Sequence, residues 1–378
     1  MKTPETTYHH LIDSFTNSNI CFVLYRLPWT DEPILIMQEE GQPEYINSLN
    51  ELNQKKGFLL SPFHLTSLRP ATLIRPDIQA YDWGEIKSAL QEWSARHPQY
   101  TKISHTNRAE TIPNPHALSE KEEKELYTET FSRFIMPLKE KQFRKLVLSR
   151  SSTQALDEQF SPLSAFIKAC NSYPRMMISL CHTPATGTWI GSTPEIILSG
   201  REKDWHTVAL AGTMPMQGEI MPTEWSKKNK EEQAFVGEYI RKVVKKFGSK
   251  LTEKGPYTAR AGQLVHLKTD FHFCLKDTSH LGDVLQELYP TPAICGLPKE
   301  DAYRFILDTE PHDRLFYSGI IGWIDPEGDT TLYVNLRCMH IEEKKATLYA
   351  GGGILPDSTV DAEWEETQQK MNTMRNIL

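Results

Sequence analysis

Three ionisable residues near the end of the chain recur at the spacing of a helix face. Glu363, Glu366 and Lys370 stand at positions i, i+3 and i+7, so a helix would present their side chains together. Two carboxylates and an ammonium in this arrangement can hold a divalent cation beside an anionic ligand, or they can form an ordinary salt bridge on a solvated helix. Three glycines just upstream, residues 351–353, favour the first interpretation. They allow close approach of a ligand and leave backbone amides free for an anion.

The helix that would carry these residues needs apolar faces to bury. Val360, Trp364, Met371 and Met374 cover the faces that adjoin the acidic one, so the helix can dock against a core. An apolar strand signal, ATLYAGGGIL, precedes it and leads into the glycines. The pattern therefore predicts a docked helix that holds two carboxylates and an ammonium beside the core.

Four other ionisable residues lie in predicted strands. Lys145 begins KLVLSR, and the alternative explanation for it is a lysine exposed to water at a strand edge. Glu195 opens the apolar strand EIIL, and the alternative for it is a carboxylate in water at the end of a sheet. His266 lies inside LVHL, where a histidine with its hydrogen bonds satisfied in the core is the ordinary explanation. Arg337, in YVNLRCM, is harder to dismiss, because a buried guanidinium keeps its charge and needs an anion.

A predicted helix over residues 223–247 carries a further acid, Glu232. Lys228 and other charged residues surround it, and a charge run of this kind is usually a solvated face. The run becomes part of a site only if another acid-bearing element docks against it.

Composition narrows the classes of protein and partner. The 378 residues carry a net charge of −7 without a basic stripe interleaved with aromatic residues, which argues against nucleic acid as the main partner. The six cysteines lack the spacing of a metal site and are typical of reduced core residues. A signal peptide, a membrane-length apolar run and the GxGxxG, P-loop and GxSxG motifs are absent from the sequence. The sequence thus predicts a soluble, cytoplasmic protein without a nucleotide cofactor.

Strand and helix signals alternate along the whole chain. Residues 1–115 include strand signals such as ICFVLY and PILIM, and the polar stretch from Tyr100 to His116 is typical of an exposed connection. Ser119 and Glu122 predict a capping box. MMISLCH, TWI, GSTPEIILSG and WHTVALAGT predict an antiparallel meander, and two later strands predict a hairpin around DPEGD. The small residues of ALAGT allow a ligand to approach the backbone closely.

Nine of these segments, taken in order, resemble the chorismate-utilising enzymes: KLVLSR, GSTPEIIL, ALAGT, SKKNKEEQ, LVHL, PTPAICGLP, FYSGIIGW, LRCM, and AGGGIL with EWEETQQK. That family includes isochorismate synthase, which the chain resembles most closely, salicylate synthase, and the synthase subunits for anthranilate and aminodeoxychorismate. The resemblance implies an α+β fold in which two large, mainly antiparallel sheets pack together with helices outside. It also implies a catalytic core at residues 116–378 and a diverged N-terminal part of the same fold at residues 1–115.

The same resemblance implies the substrate chorismate, the cofactor Mg²⁺ and a set of site residues. Lys145 matches the family's water-activating base, and Glu195 matches its general acid. Glu232 and Glu366 match the metal ligands, with Glu363 as a supporting acid that acts on the metal through water. The positions implied to bind substrate are Ala211, Gly212, Thr213, His266, Tyr317, Arg337, Gly351, Gly353 and Lys370.

The residue types indicate which reaction to expect. Chorismate carries two carboxylates, so an acidic protein must compensate their charge locally, with Mg²⁺ on the ring carboxylate and Arg337, with Tyr317, on the enolpyruvyl one. Ammonia-using members resemble this sequence with glutamine in place of Lys145, so the lysine favours water as the nucleophile. We expect conversion of chorismate to isochorismate, with water added at C2 and the C4 hydroxyl lost.

Several alternatives stay open. A salicylate synthase would add elimination of pyruvate, an anthranilate or aminodeoxychorismate synthase subunit would use ammonia, and a catalytically silent protein would only bind chorismate. The expected pathway is menaquinone biosynthesis, with siderophore biosynthesis as the alternative. The expected state is a monomer without a glutaminase subunit.

Overall fold

The computed structural model describes residues 6–101, 118–216, 221–261 and 264–378. Within these ranges the chain forms two nine-stranded sheets in which every strand pairing is antiparallel. The predicted fold class, an α+β protein built on two large antiparallel sheets, is confirmed. Residues 102–116 of the predicted connection, and the predicted domain division after residue 115, lie outside the described residues.

Both sheets draw strands from the whole length of the chain. Sheet A contains β1 (Phe22–Arg26), β2 (Ile34–Met37), β6 (Ile78–Ala80), β7 (Lys145–Ala155), β8 (Met177–Thr183), β9 (Gly187–Thr193), β14 (Gly296–Leu297), β17 (Cys338–Glu342) and β18 (Lys345–Ile354). Sheet B contains β3 (Glu44–Ile46), β4 (Gly57–Leu60), β5 (Ala71–Ile74), β10 (Ile196–Arg201), β11 (Asp204–Pro215), β12 (Gly248–Ala261), β13 (Leu264–Leu275), β15 (Ile320–Ile324) and β16 (Thr330–Val334). Their spatial orders are β14-β7-β18-β17-β9-β8-β1-β2-β6 and β12-β13-β11-β10-β16-β15-β4-β5-β3.

Helices pack on the outer faces of the sheets. They are α1 (Thr6–Phe15), α2 (Trp83–Arg96), α3 (Pro98–Thr101), α4 (Glu120–Lys139), α5 (Pro162–Ser172), α6 (Lys227–Phe247), α7 (Leu281–Leu288), α8 (Lys299–Thr309) and α9 (Val360–Arg375). Two short 3₁₀ turns lie at Leu49–Leu52 and Thr278–His280. For the site, the important contacts are those of α4 with β7, of α6 with β11 and of α9 with β18.

Alternate residues of the central strands face different cores, as the period of two in a strand requires. In β1, Phe22 and Leu24 pack with helices α1, α2 and α5, whereas Val23 and Tyr25 face the other sheet. Phe58 of β4 belongs to the same layer between the sheets. The sheets therefore pack face to face around an apolar layer, and two further apolar layers lie under the helices.

The chain passes from one sheet to the other between β9 and β10, and again between β16 and β17. These two crossings lie side by side, because the Val334 amide donates to the Glu195 carbonyl at 2.9 Å and the Thr193 hydroxyl donates to the Val334 carbonyl at 2.6 Å. Arg337 lies in the second crossing with φ of 45°, a left-handed conformation that costs a non-glycine residue free energy. The junction of the sheets thus holds Glu195 and Arg337.

Two predictions from the sequence are wrong at these crossings. The four segments predicted as one meander form two hairpins in different sheets, because the chain leaves sheet A at Pro194. Proline has no amide hydrogen to continue the ladder. The second error concerns YVNLRCM, which is two strands, since β16 ends at Val334 and β17 begins at Cys338.

Predictions that depend only on neighbouring residues agree better with the structure. The capping box of Ser119 and Glu122 is confirmed, as is the hairpin of β15 and β16 around DPEGD. The helix predicted over residues 223–247 begins four residues later, at Lys227, because the Ser226 side chain accepts from the Asn229 amide and caps the helix there.

Within the described residues, no helix combines the length and the apolar composition needed to cross a membrane.

Candidate active site

An open cavity with about 620 Å³ of empty space lies at the junction of the sheets. Eleven predicted site residues line it: Glu195, Ala211, Gly212, Thr213, Glu232, His266, Tyr317, Arg337, Gly351, Gly353 and Lys370. The other three, Lys145, Glu363 and Glu366, lie behind this lining and contact it through ion pairs or through the glycine run.

Glu195 lies at the first crossing and is only 5% exposed. Burial raises the pKa of Glu195 to about 7, against the lowering influence of the positive charges of Lys145 and Lys370. A carboxyl group with a pKa near 7 is protonated in a substantial fraction of molecules at neutral pH. Glu195 can therefore donate a proton, and the exposed position that the sequence also allowed for it is wrong.

Lys145 begins β7 and pairs with Glu232 of α6. Its Nζ lies 2.9 Å from Glu232 Oε1, and its side chain is fully buried, so the alternative of a solvated edge lysine is wrong. Burial raises the pKa of Glu232, but the charges of Lys145 and Lys228 outweigh burial and hold that pKa below its ordinary value. The carboxylate is thus ionised, and Lys145 Nζ lies against it at the edge of the cavity.

The glycine run of β18 lies against three site side chains. A Cβ on Gly351 would lie 2.9 Å from Tyr317 Oη, and a Cβ on Gly353 would overlap Glu232 Oε1. A Cβ on Gly352 would lie 3.1 Å from Glu363 Oε2. Glycine suits these positions because the Tyr317 hydroxyl and the two carboxylates occupy the space that another side chain would fill.

Helix α9 places its charged face as the spacing predicts. Lys370 Nζ lies 2.7 Å from Glu366 Oε1 and donates to the Gly351 carbonyl at 2.8 Å. Glu363 is 1% exposed and pairs with Lys228 of α6, so the two helices meet through an ion pair. Burial and the neighbouring charge of Glu366 raise the pKa of Glu363.

Arg337 and His266 form a hydrogen-bonded pair in the cavity wall. Arg337 Nη2 lies 2.5 Å from His266 Nε2, and His266 Nδ1 lies 3.1 Å from the Gly212 carbonyl. Burial and the charge of Arg337 lower the pKa of His266 well below its ordinary value, so the ring is neutral and carries its proton on Nδ1. The histidine therefore orients the guanidinium without neutralising its charge, which suits the binding of a carboxylate.

The donor chemistry of the three glutamates fits Mg²⁺, which prefers hard oxygen ligands. Glu363 Oε2 is buried and has no hydrogen-bond partner among the described residues, so one carboxylate oxygen beside Gly352 is available to a cation or its water. Across the described ranges, no three side chains of His, Cys, Asp or Glu are grouped closely enough to hold a metal ion together. Magnesium remains a prediction.

The sequence did not reveal the apolar wall of the cavity, which includes Val147, Leu210, Ala293, Ile294 and Leu336. Strand alternation within KLVLSR does place Val147 on the same face as Lys145. Met176 was missed as well, and its sulfur lies 3.7 Å from Arg337 Nη1. No local pattern marks a methionine as the neighbour of an arginine 161 positions away.

Known families and curated proteins give a second line of evidence. The family described as chorismate binding enzyme matches residues 47–378. Isochorismate synthase EntC of Escherichia coli (strain K12) is 32% identical over 206 residues, which cover 52% of this chain and 53% of that protein. The vibriobactin-specific isochorismate synthase of Vibrio cholerae is 29% identical over 194 residues, which cover 49% of each. The chain thus spans about half the length of the curated relatives it matches.

A solved structure shows the same fold over a longer range. MenF, the menaquinone-specific isochorismate synthase from Escherichia coli, superimposes with a TM-score of 0.77 and covers 97% of this chain and 91% of its own. Sequence identity over that range is 21%, so the similarity concerns the fold.

Proposed function

Because the chain belongs to the chorismate-binding enzyme family, we propose that it is an isochorismate synthase, an isomerase that converts chorismate to isochorismate. One observation carries the proposal beyond the family. A buried lysine and a buried carboxyl group, Lys145 and Glu195, belong to the same site, and Lys145 is the charge that most lowers the Glu195 pKa. Such a pair supplies a base and an acid for a reaction that adds water and removes a hydroxyl.

The cavity wall offers partners for the enolpyruvyl carboxylate of chorismate. Arg337 and Tyr317 would bind the enolpyruvyl carboxylate, together with backbone amides of Gly351 and Gly353. Lys370 of α9 lines the cavity and would therefore contact the substrate. Its Nζ is held in place by Glu366 and the Gly351 carbonyl. The apolar wall would face the ring and exclude bulk water.

The chemistry needs one proton removed and one supplied. Lys145, as the free amine, would accept a proton from the water that adds at C2, and Glu195 would donate its proton to the hydroxyl that leaves C4. One water enters and one water leaves, so the product is an isomer of the substrate. Thr213 and His266 lie close to each other in the cavity wall, with Thr213 Oγ1 3.3 Å from His266 Nδ1, and would orient the ring hydroxyl.

Mg²⁺ belongs to the same proposal. Glu232 and Glu366 would hold it, with Glu363 acting through water, and the bound ion would withdraw charge from the ring carboxylate.

The biological setting is also a proposal. A menaquinone-specific enzyme and a vibriobactin-specific one are both among the similar proteins. We propose menaquinone biosynthesis, with siderophore biosynthesis as the alternative. Lys145 supports water as the nucleophile, so we further propose that the protein needs no glutaminase subunit. A cytoplasmic location and a monomeric state belong to the same proposal.

The test is to incubate the purified chain with chorismate and Mg²⁺, with and without ammonium, and to separate and weigh the products by liquid chromatography and mass spectrometry. A product with the mass of chorismate and a different retention time and ultraviolet spectrum is expected. Salicylate with pyruvate would move the assignment to salicylate synthase, and an amine-bearing product would mean that Lys145 does not select water. Binding of chorismate without turnover would identify a silent binding protein.

A further inference from the structure

The first turn of α6 has an unusual charge. Lys227, Lys228 and Lys230 lie at or near its start, and that turn contains no acidic residue. The amino end of a helix carries partial positive charge, so each lysine there costs roughly 0.3–1 kcal/mol unless an anion compensates it. For Lys228 that anion is supplied from another helix, because its Nζ pairs with Glu363 Oε1 of α9.

Lys228 is placed among all three acids of the site. Burial lowers the pKa of Lys228, but the charge of Glu363 and its hydrogen bond outweigh burial and raise that pKa. Glu232 and Glu366 act on Lys228 in the same direction. The Lys228 side chain is 27% exposed, whereas that of Glu363 is 1% exposed, so the ammonium reaches inward from the rim to a buried carboxylate.

The two oxygens of Glu363 are in different environments. Oε1 is held by Lys228, whereas Oε2 is buried without a hydrogen-bond partner among the described residues. That second oxygen lies against Gly352, because a Cβ on this glycine would be 3.1 Å from it. Glu366 Oε1 borders the same glycine, at 3.5 Å from the same Cβ position. Fixing one oxygen of a carboxylate fixes the direction of the other, so Lys228, together with the Ser358 side chain that also hydrogen-bonds Glu363, sets where the open oxygen of Glu363 points.

We propose that Lys228 is a positioning residue, which holds Glu363 so that its open oxygen faces a divalent cation or that cation's water beside Glu366. The inference rests on the proposed function, because that function supplies the cation. Lys228 touches neither the substrate nor the reacting atoms; it acts through Glu363. Partners that hydrogen-bond a metal-binding carboxylate typically change metal affinity by about 10–100-fold when they are removed.

The test is calorimetric titration of the full chain, stripped of metal, with Mg²⁺ alone. Lys228→Met is expected to raise the Kd for Mg²⁺ about tenfold. Lys228→Arg keeps a cationic donor and is expected to restore most of the affinity. Lys227→Met is the matched control, because its side chain is 90% exposed and its partner Glu231 is also at the surface, 3.6 Å away. That control loses the same charge one residue earlier and is expected to leave the Kd unchanged.

A double-mutant cycle tests whether Lys228 works through Glu363. Glu363→Gln is expected to weaken Mg²⁺ binding, and adding Lys228→Met to it is expected to change the Kd no further. If Lys228→Met folds poorly, Lys228→Arg and the double variant still test the proposal, because neither leaves a buried carboxylate without a cationic partner. A thermal unfolding curve for each variant establishes that the titrated protein is folded.

The outcomes separate this inference from the proposed function. Unchanged or tighter Mg²⁺ binding by Lys228→Met would show that Lys228 is only a counter-charge, and the inference would be overturned while the wild-type enzyme still converts chorismate. A wild-type chain that binds no Mg²⁺ would overturn both the inference and the metal assignment. A wild-type chain that binds Mg²⁺ but does not convert chorismate would overturn the proposed activity alone.

Discussion

The two sides of the cavity treat charge in opposite ways. On the side of the sheet crossings, Arg337 donates to a neutral histidine, and burial keeps Glu195 substantially protonated. On the side where β7, α6 and α9 meet the glycine run, each of the three carboxylates has its own lysine. The first side thus presents a guanidinium beside a neutral ring, whereas the second is balanced, because each of its carboxylates faces a lysine. A cation that binds Glu232 or Glu366 must therefore share that carboxylate with its lysine, whereas Glu363 Oε2 has no hydrogen-bond partner among the described residues.

The balanced side should also be the more sensitive to single substitutions. Removing one partner of a buried ion pair leaves a charge with neither water nor a counter-ion, which typically costs about 3–5 kcal/mol. Lys145 and Glu232 form such a pair. Substitutions of Arg337 on the crossing side would leave no carboxylate without its lysine.

The largest effect is expected for Lys145→Met. Loss of the base should lower kcat by about 10²–10⁴ while chorismate still binds, because Arg337 and Tyr317 remain. Steady-state product formation and a chorismate titration measure the two effects separately. Lys139→Met, at an exposed position at the end of α4, is the control and should match the wild type. Full activity of Lys145→Met would remove Lys145 as the base.

On the crossing side, Arg337→Lys should mainly weaken substrate binding. An ammonium keeps the positive charge but loses the planar fork that holds a carboxylate through two hydrogen bonds. The KM for chorismate should rise by about 10–100-fold, with a smaller change in kcat. An unchanged KM would mean that the carboxylate binds elsewhere in the cavity.

Between the two sides, Gly353→Ala tests how closely the glycine run is packed. The added methyl group would overlap Glu232 Oε1 and lie 3.0 Å from Lys145 Cε, so we expect a loss of about 1–3 kcal/mol in the free energy of unfolding. Gly237→Ala is the contrast, because it lies inside α6 with its nearest neighbour, Phe271, at 3.8 Å. That substitution should stabilise the chain by roughly 0.5–1 kcal/mol. Urea denaturation measures both, and equal effects would contradict the packing argument.

The smallest effect is a pH dependence carried by Glu195. Burial raises its pKa from 4.5 to about 7, so the folded state binds more protons than the unfolded state between these values. Its contribution to stability is therefore complete below pH 4.5 and is lost as pH rises to about 7. Relative to the wild type, Glu195→Gln should gain on the order of 1–2 kcal/mol between pH 5 and pH 8.

The control for this pH dependence is Glu365→Gln, at an exposed position on α9. Urea denaturation of the two variants at both pH values gives the comparison. The same gain in both variants would show that the buried carboxyl of Glu195 is not its source.

The sequence predicted the parts of the site that depend on local spacing. The face shared by Glu363, Glu366 and Lys370 follows from the helical repeat alone, and the burial of Trp364 and Met371 follows from the same repeat. The capping box at Ser119 is local in the same sense. The two-sheet fold was predicted from the family resemblance, because no local pattern states which strands pair.

The features that were missed depend on distant parts of the chain. A strand signal does not say which sheet the strand joins, so the crossings at Pro194 and Arg337 could not be seen in GSTPEIILSG or YVNLRCM. The left-handed conformation of Arg337 is imposed by the surrounding structure against the local preference of the residue. The pairing of Lys228 with Glu363 joins residues 135 positions apart, which is why a charge run typical of a solvated face has another role here.

The pairing of β7 with β18 has a consequence for how the protein is made. Val147 pairs with Gly353 and Ser149 with Gly351, so partners about 200 residues apart in the chain share a ladder. During synthesis at the ribosome, β7 emerges long before both of its neighbours, β14 and β18, and its unpaired edges can meanwhile pair wrongly with other chains. The lysine and the glycines of the site therefore meet only after nearly the whole chain has been translated. We expect chains that stop before residue 345 to aggregate rather than to persist as folded protein.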